Sequence, residues 1–107
     1  MEAAGTLTAV TCSNATGCPV YVVHVTSKAA ARVVAAGKQE RKLVFAEAVT
    51  AGIAGDGRQY FDRCWEHAAA HVLTPPMRTD ADFNDFLVSL VAKCILITSA
   101  SSFMFSS

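Results

Sequence analysis

Apolar and polar positions alternate along the chain in strand-like runs and helix-like stretches. Val20–Val25 (VYVVHV) is a nearly unbroken apolar, β-branched run. Such a run, bounded by turn residues, predicts a strand buried on both faces of a parallel sheet. Pro19 suits the first residue of that strand. Thr26 or Ser27 can cap a following helix by accepting a backbone N–H bond. The helix is expected over residues 28–36, with Val33 and Val34 on its packing face and Gly37 as a C′ residue of positive φ. Residues 38–42 (KQERK) are expected to form a solvated connection, and residues 43–49 a second buried strand. Strand, helix and strand thus arrive within about thirty residues, the size of one right-handed crossover unit.

The flanks carry weaker patterns. Residues 1–16 are ambiguous: 7–12 can end a helix, and 13–17 can form the turn out of it. After Thr50, AGIAGDG is a glycine-rich stretch without the Lys-Ser/Thr ending of a phosphate-binding loop or the spacing of a dinucleotide fingerprint. A mobile loop over the strand ends is expected there. Residues 60–72 repeat apolar side chains near helical spacing, at Phe61, Cys64, Trp65, Ala68 and Val72. Thr74-Pro75-Pro76 stops that helix, because proline disfavours helix for the residue before it. Thr79 or Asp80 then caps a helix over 81–92 whose face carries Phe83, Phe86, Leu87, Leu90 and Val91. Residues 94–98 (CILIT) complete the pattern as a short strand. The fold class is therefore α/β.

Composition narrows the function classes. With 52% hydrophobic and 17% charged residues the chain is globular rather than disordered. That apolar share is high for a chain of this size, so part of the apolar surface is expected to meet a neighbour. Nine basic residues balance nine acidic ones, so neither nucleic acid nor an anionic membrane is an expected partner. No apolar run approaches the ~18 residues of a membrane span. The first residues lack the basic start and apolar core of a signal peptide. A cytoplasmic protein is expected, with Cys12, Cys18, Cys64 and Cys94 as free thiols. They show no CxxC spacing. Asn14-Ala15-Thr16 is a formal glycosylation sequon, read as chance in that compartment.

His24 stands at the C-terminal end of the first strand, where α/β proteins present catalytic and ligand-binding groups. It can be a metal ligand through a neutral ring nitrogen, or a hydrogen-bonded histidine at a sheet edge. His67 and His71 are four apart, so on a helix they share a face. They can grip one metal or form a partly exposed structural pair. Glu66 lies beside them, but the order His-Glu-x-x-His is absent. Glu47, late in the second strand, can act as an acid/base, orient a ligand, or pair with an arginine. Asp56 and Asp62 read as loop and cap residues. No Ser-His-Asp or Cys-His constellation is visible.

Over residues 17–91 these segments resemble the dihydropyrimidinase and hydantoinase branch of the amidohydrolases, which includes the non-catalytic collapsin response mediator proteins. The segments are CPVYVVHVTSK, the strand with Phe45-Ala46-Glu47, AGDGRQYFDRCWEHAAAHVLTPPMR, and Phe86-Leu87 after it. Their order and spacing are similar to the family's His-Val-x-Ser-Lys strand, Gly-Glu strand, Gly-Thr-Asp-Gly loop, tryptophan-bearing helix and Pro-Pro-Leu-Arg segment.

The resemblance implies part of a (β/α)₈ barrel: a few parallel strands with their packing helices. It implies a two-zinc centre bridged by a carboxylated lysine, where a metal-bound hydroxide opens a cyclic amide. On it, His24 falls on the last histidine ligand of that centre, and Thr74 on a substrate contact made through the backbone. The mediator proteins commonly carry lysine at the His24 position, so His24 leans toward the enzyme branch. His67 and His71 fall on a helix outside the metal centre. A whole barrel takes about 250 residues, and the family's His-x-His pair, bridging lysine and other histidine ligand have no counterpart here. Ser101 stands in the best register for the family's catalytic aspartate, and from Lys93 onward the match fades, as in a truncated or alternatively spliced product. No catalytic residue is therefore assigned. The chain alone is expected to bind no zinc stably and to be inactive, with family subunits or further copies of itself as partners.

Overall fold

The structure is a computed structural model of the 107-residue chain and describes residues 1–55, 57–79, 83–92 and 97–99. In order these form α1 (Glu2–Thr16), β1 (Val20–Val25), α2 (Lys28–Gln39), β2 (Val44–Val49), α3 (Thr50–Ala54), a 3₁₀ turn (Gly57–Phe61), α4 (Trp65–Ala70), α5 (Phe83–Ala92) and β3 (Ile97–Ser99). The sheet order is β1-β2-β3, with both pairings parallel. The strand-helix-strand crossover is present, with Val20 opposite Val44 and Tyr21 opposite Phe45.

One face of the sheet holds the core. Val44, Ala46 and Ala48 of β2 and Val25 of β1 bury against Ala30, Ala31 and Val34 of α2, Val10 of α1, and Leu87 and Leu90 of α5. The other face is open. Tyr21, Val23 and Phe45 are 49%, 60% and 46% exposed, so the expectation of strands buried on both faces is corrected. Among the described residues helices cover these strands from one side only, and pleating sends alternate side chains to the other.

α2 starts as expected, with the Ser27 hydroxyl accepting from the Ala30 N–H at 3.3 Å. It runs past Gly37 to Gln39, and the left-handed residue is Arg41, at φ 57°. Gly37 is a contact point instead. A Cβ there would lie 3.2 Å from Val44 Cγ2 and 3.5 Å from Val10 Cγ1. Its missing side chain lets α2 approach both β2 and α1. Residues 38 and 39 therefore belong to the helix rather than to the expected connection, and Lys42 pairs with Glu40 beyond it.

α1 takes in the ambiguous N-terminal stretch and ends at Gly17, φ 69°, a left-handed helix stop. The glycine-rich stretch after β2 is helical over Thr50–Ala54, not a loop, and Asp56 lies outside the described residues. The single helix expected over 60–72 is divided. The Asp62 carboxylate accepts the Cys64 N–H at 2.8 Å, a local turn that competes with helix. Of its expected apolar face, Phe61, Trp65 and Val72 are 80%, 74% and 64% exposed. Over Phe83–Ala92 α5 follows the expected face, with Leu87 and Leu90 buried and Phe86 and Val91 packed at the core margin, while residues 81 and 82 and the Phe83 side chain lie outside what is described. Asp80, Cys94 and Ser101 lie outside the described residues. Cys12, Cys18 and Cys64 are exposed free thiols. Among the described residues no helix is long and apolar enough to cross a membrane.

Candidate functional site

The C-terminal end of β1 departs from regular strand. The register with β2 shifts between Val22 and Val25, and His24 takes φ 55°. Histidine is among the side chains that tolerate this left-handed conformation. A bulge of this kind breaks the two-residue alternation. Val25 consequently turns into the core at 1% exposure, and His24 joins Tyr21 and Glu47 on the open face.

Four residues meet there. His24 Nδ1 lies 3.3 Å from the carbonyl oxygen of Thr74, and its Nε2 lies 3.7 Å from Glu47 Oε1. The Tyr21 hydroxyl donates to Glu47 Oε2 at 2.9 Å. A carbonyl oxygen only accepts, so Nδ1 carries a proton in that contact, and Nε2 faces the Glu47 carboxylate. The hydrogen bond to Glu47, with burial and the carboxylate charge behind it, raises the Tyr21 pKa above 10.0. His24 and Thr74, both singled out in the sequence, are thus in contact. Glu47 accepts from the tyrosine and faces the histidine.

A neighbouring cluster holds Thr74 in place. Glu2, in the first turn of α1, accepts from the Thr26 backbone N–H at 2.8 Å and from its hydroxyl at 3.0 Å. Arg78 donates to the same carboxylate at 3.3 Å. The Tyr60 hydroxyl accepts the Met77 N–H at 2.8 Å, and Gly57 N–H donates to the Arg78 carbonyl at 2.9 Å. Residues 74–78 are therefore tied to α1, to the 3₁₀ turn and to the end of β1. Sequence reading missed Glu2 and Tyr21. An acidic residue in a helix's first turn is common for electrostatic reasons alone, and a tyrosine within an apolar strand reads as core.

The described residues contain no group of three or more His, Cys, Asp or Glu side chains placed to hold a metal ion. His67 and His71 form a surface pair away from these contacts, with ring centroids 4.5 Å apart. His67 Nε2 meets Gln59 Oε1 at 3.1 Å, and His71 Nδ1 donates to the His67 carbonyl at 2.8 Å.

No protein-family profile matches the chain. Individual proteins do. Over 101 residues, 94% of this chain, it is 46% identical to dihydropyrimidinase of Rattus norvegicus and 42% identical to dihydropyrimidinase-related protein 5 of Homo sapiens. These matches take up 20% and 18% of the two relatives, so the chain spans about a fifth of their length. Among solved structures, D-hydantoinase (dihydropyrimidinase) from Thermus sp. superposes with a TM-score of 0.80 at 28% identity, over 88% of this chain and 20% of that one. Dihydropyrimidinase from Brevibacillus agri shares the fold with a TM-score of 0.85 at 24% identity, over 98% of this chain and 23% of that one. The chain thus matches, over about a fifth of their length, members of the dihydropyrimidinase and D-hydantoinase family.

Proposed function

We propose that the chain is the portion of a dihydropyrimidinase-like cyclic amide hydrolase that carries one metal-ligand position, His24, and one substrate contact, the Thr74 carbonyl. Its three parallel strands and their helices are then part of a (β/α)₈ barrel, with residues 93–107 diverging from the family within a single unit, 1–107. The observation that carries this reading is the meeting of His24 and Thr74 at the C-terminal end of a parallel strand. In a (β/α)₈ enzyme that end holds the active site. A cytoplasmic location and a role in pyrimidine breakdown are parts of the same proposal.

The zinc implied by the resemblance does not fit the described residues by themselves. His24 and Glu47 offer two donors, and a catalytic zinc site takes three protein ligands with an open position. No chemical step is therefore assigned to this chain alone. Its own residues orient one imidazole: the Thr74 carbonyl accepts a hydrogen bond from Nδ1–H, and Glu47 faces Nε2. The remaining ligands have to come from outside the described residues. Two assays test this. The purified chain with zinc should not hydrolyse dihydrouracil or hydantoin. Co-expressed with a dihydropyrimidinase lacking the matched segment, it should restore hydrolysis, and His24→Ala should not. Turnover by the chain alone that His24→Ala abolishes would overturn the first expectation, and equal restoration by His24→Ala the second.

A non-catalytic reading is favoured by the open sheet face. Tyr21, Val23 and Phe45 present an apolar surface beside the strand ends, and exposed apolar patches of this kind mark interaction sites. The chain would then dock on a family subunit or on a second copy of itself. Association with a full-length relative that leaves that relative's activity unchanged supports this second reading.

A further inference from the structure

We infer that His67 and His71 form a two-imidazole chelate for a tetragonal divalent cation, Cu²⁺ or Ni²⁺, separate from the strand-end cluster. The hydrogen bonds sort the ring protons. Gln59 Oε1 accepts, so the His67 nitrogen 3.1 Å away, Nε2, carries a proton and leaves Nδ1 with a free lone pair. The His67 carbonyl accepts at 2.8 Å from His71 Nδ1, leaving the lone pair on Nε2. In its neutral form each ring then keeps one unprotonated nitrogen, the form in which histidine binds metals. The carbonyl and amide partners do what second-shell groups do in metal sites: they fix tautomer and ring orientation.

The separation of the rings selects the geometry. A metal about 2.0–2.1 Å from a ring nitrogen lies about 3.2 Å from that ring's centroid. A metal in line with both free lone pairs would see the two centroids, 4.5 Å apart, at about 90°. That is the cis angle of the tetragonal geometry of Cu²⁺ and Ni²⁺, and it is narrow for tetrahedral zinc. His67 is exposed and His71 half-buried, so water can complete the coordination. The described residues add no third protein ligand, which makes this an open site of moderate affinity.

The test is isothermal titration of the full chain with NiCl₂ and CuCl₂, after alkylating the exposed thiols of Cys12, Cys18 and Cys64. One equivalent should bind, Cu²⁺ more tightly than Ni²⁺. His67→Gln and His71→Gln should each weaken it at least tenfold, because either change turns a chelate into a single imidazole. Both changes are at the surface, and circular dichroism verifies that the fold persists. In His24→Gln the binding should remain. Undiminished affinity in either surface variant overturns the assignment. So does loss of binding in His24→Gln, which would move the metal to the strand ends while leaving the proposed hydrolase role intact.

Discussion

His24 Nδ1 lies 3.3 Å from the carbonyl oxygen of Thr74, fifty residues away in sequence. Neither residue is held there by its own element alone. The bulge at φ 55° turns the histidine onto the open face, and the ties on Arg78, Met77 and Gly57 fix the path of the chain around Thr74. The candidate site therefore depends on residues outside it.

Glu2 is the first such residue. Thr26 is fully buried, and its backbone N–H and hydroxyl both donate to the Glu2 carboxylate. Glu2→Ala strands a buried donor, at a cost of about 1–3 kcal/mol. Glu2→Gln keeps one acceptor oxygen and should cost less. Urea unfolding of the two variants checks this order, and equal losses would remove the carboxylate from its bracing role.

Glycine positions provide a second test. A Cβ on Gly57 would sit 2.6 Å from the Met77 carbonyl oxygen, which is backbone and cannot rotate away. Gly57→Ala should destabilise by about 1–3 kcal/mol and shift the amide resonances of residues 74–78. Gly5, inside α1, has nothing within 4 Å of such a Cβ. Gly5→Ala should stabilise by about 0.5–1 kcal/mol through helix propensity. Thermal unfolding of the pair reads both signs.

The elements that depend on near-neighbour chemistry were legible in the sequence. β1 falls on Val20–Val25 as the β-branched run indicates, Ser27 caps α2, and Leu87 and Leu90 bury along α5. Features set by a partner element were not. Gly37 looks like a helix stop until α1 and β2 are packed against it. Phe61 and Trp65 repeat at helical spacing, but the Asp62 turn divides their helix and leaves both exposed. At the candidate site, His24 and Thr74 could be named from residue type and motif order. Glu2 and Tyr21 could not, because their roles exist only across long chain separations.

Tyr21 makes the site sensitive to alkaline pH. The neutral phenol donates to Glu47, and ionising it removes the donor and sets two anions side by side. The folded pKa therefore lies above the unfolded value of 10.0. The sign follows: the stabilisation is fully present below about pH 10 and is lost as pH rises through the folded pKa. Phenolate absorbance, taken as the difference between the native chain and Tyr21→Phe, should show a midpoint above 10.0 that Glu47→Gln lowers. An unmoved midpoint in Glu47→Gln would detach the shift from the carboxylate.

The open sheet face gives the last test, because burial and exposure predict opposite results on the two sides of the same sheet. Leu87 is fully buried under it, and Leu87→Ala should cost about 2–5 kcal/mol in a cavity of this kind. Val23 and Phe45, on the other side, are 60% and 46% exposed. Changing both to threonine keeps β-propensity and should cost the monomer less than Leu87→Ala does, because neither side chain is fully buried. Their removal should matter for association instead. If this face meets a second copy or a family subunit, sedimentation of the native chain will show mass rising with concentration, and the doubly substituted chain will stay monomeric. A native chain that remains monomeric at every concentration and binds no full-length relative rules out docking through this face. An associating chain that ignores both substitutions places the contact elsewhere, with exposed Phe61 and Trp65 the next residues to change.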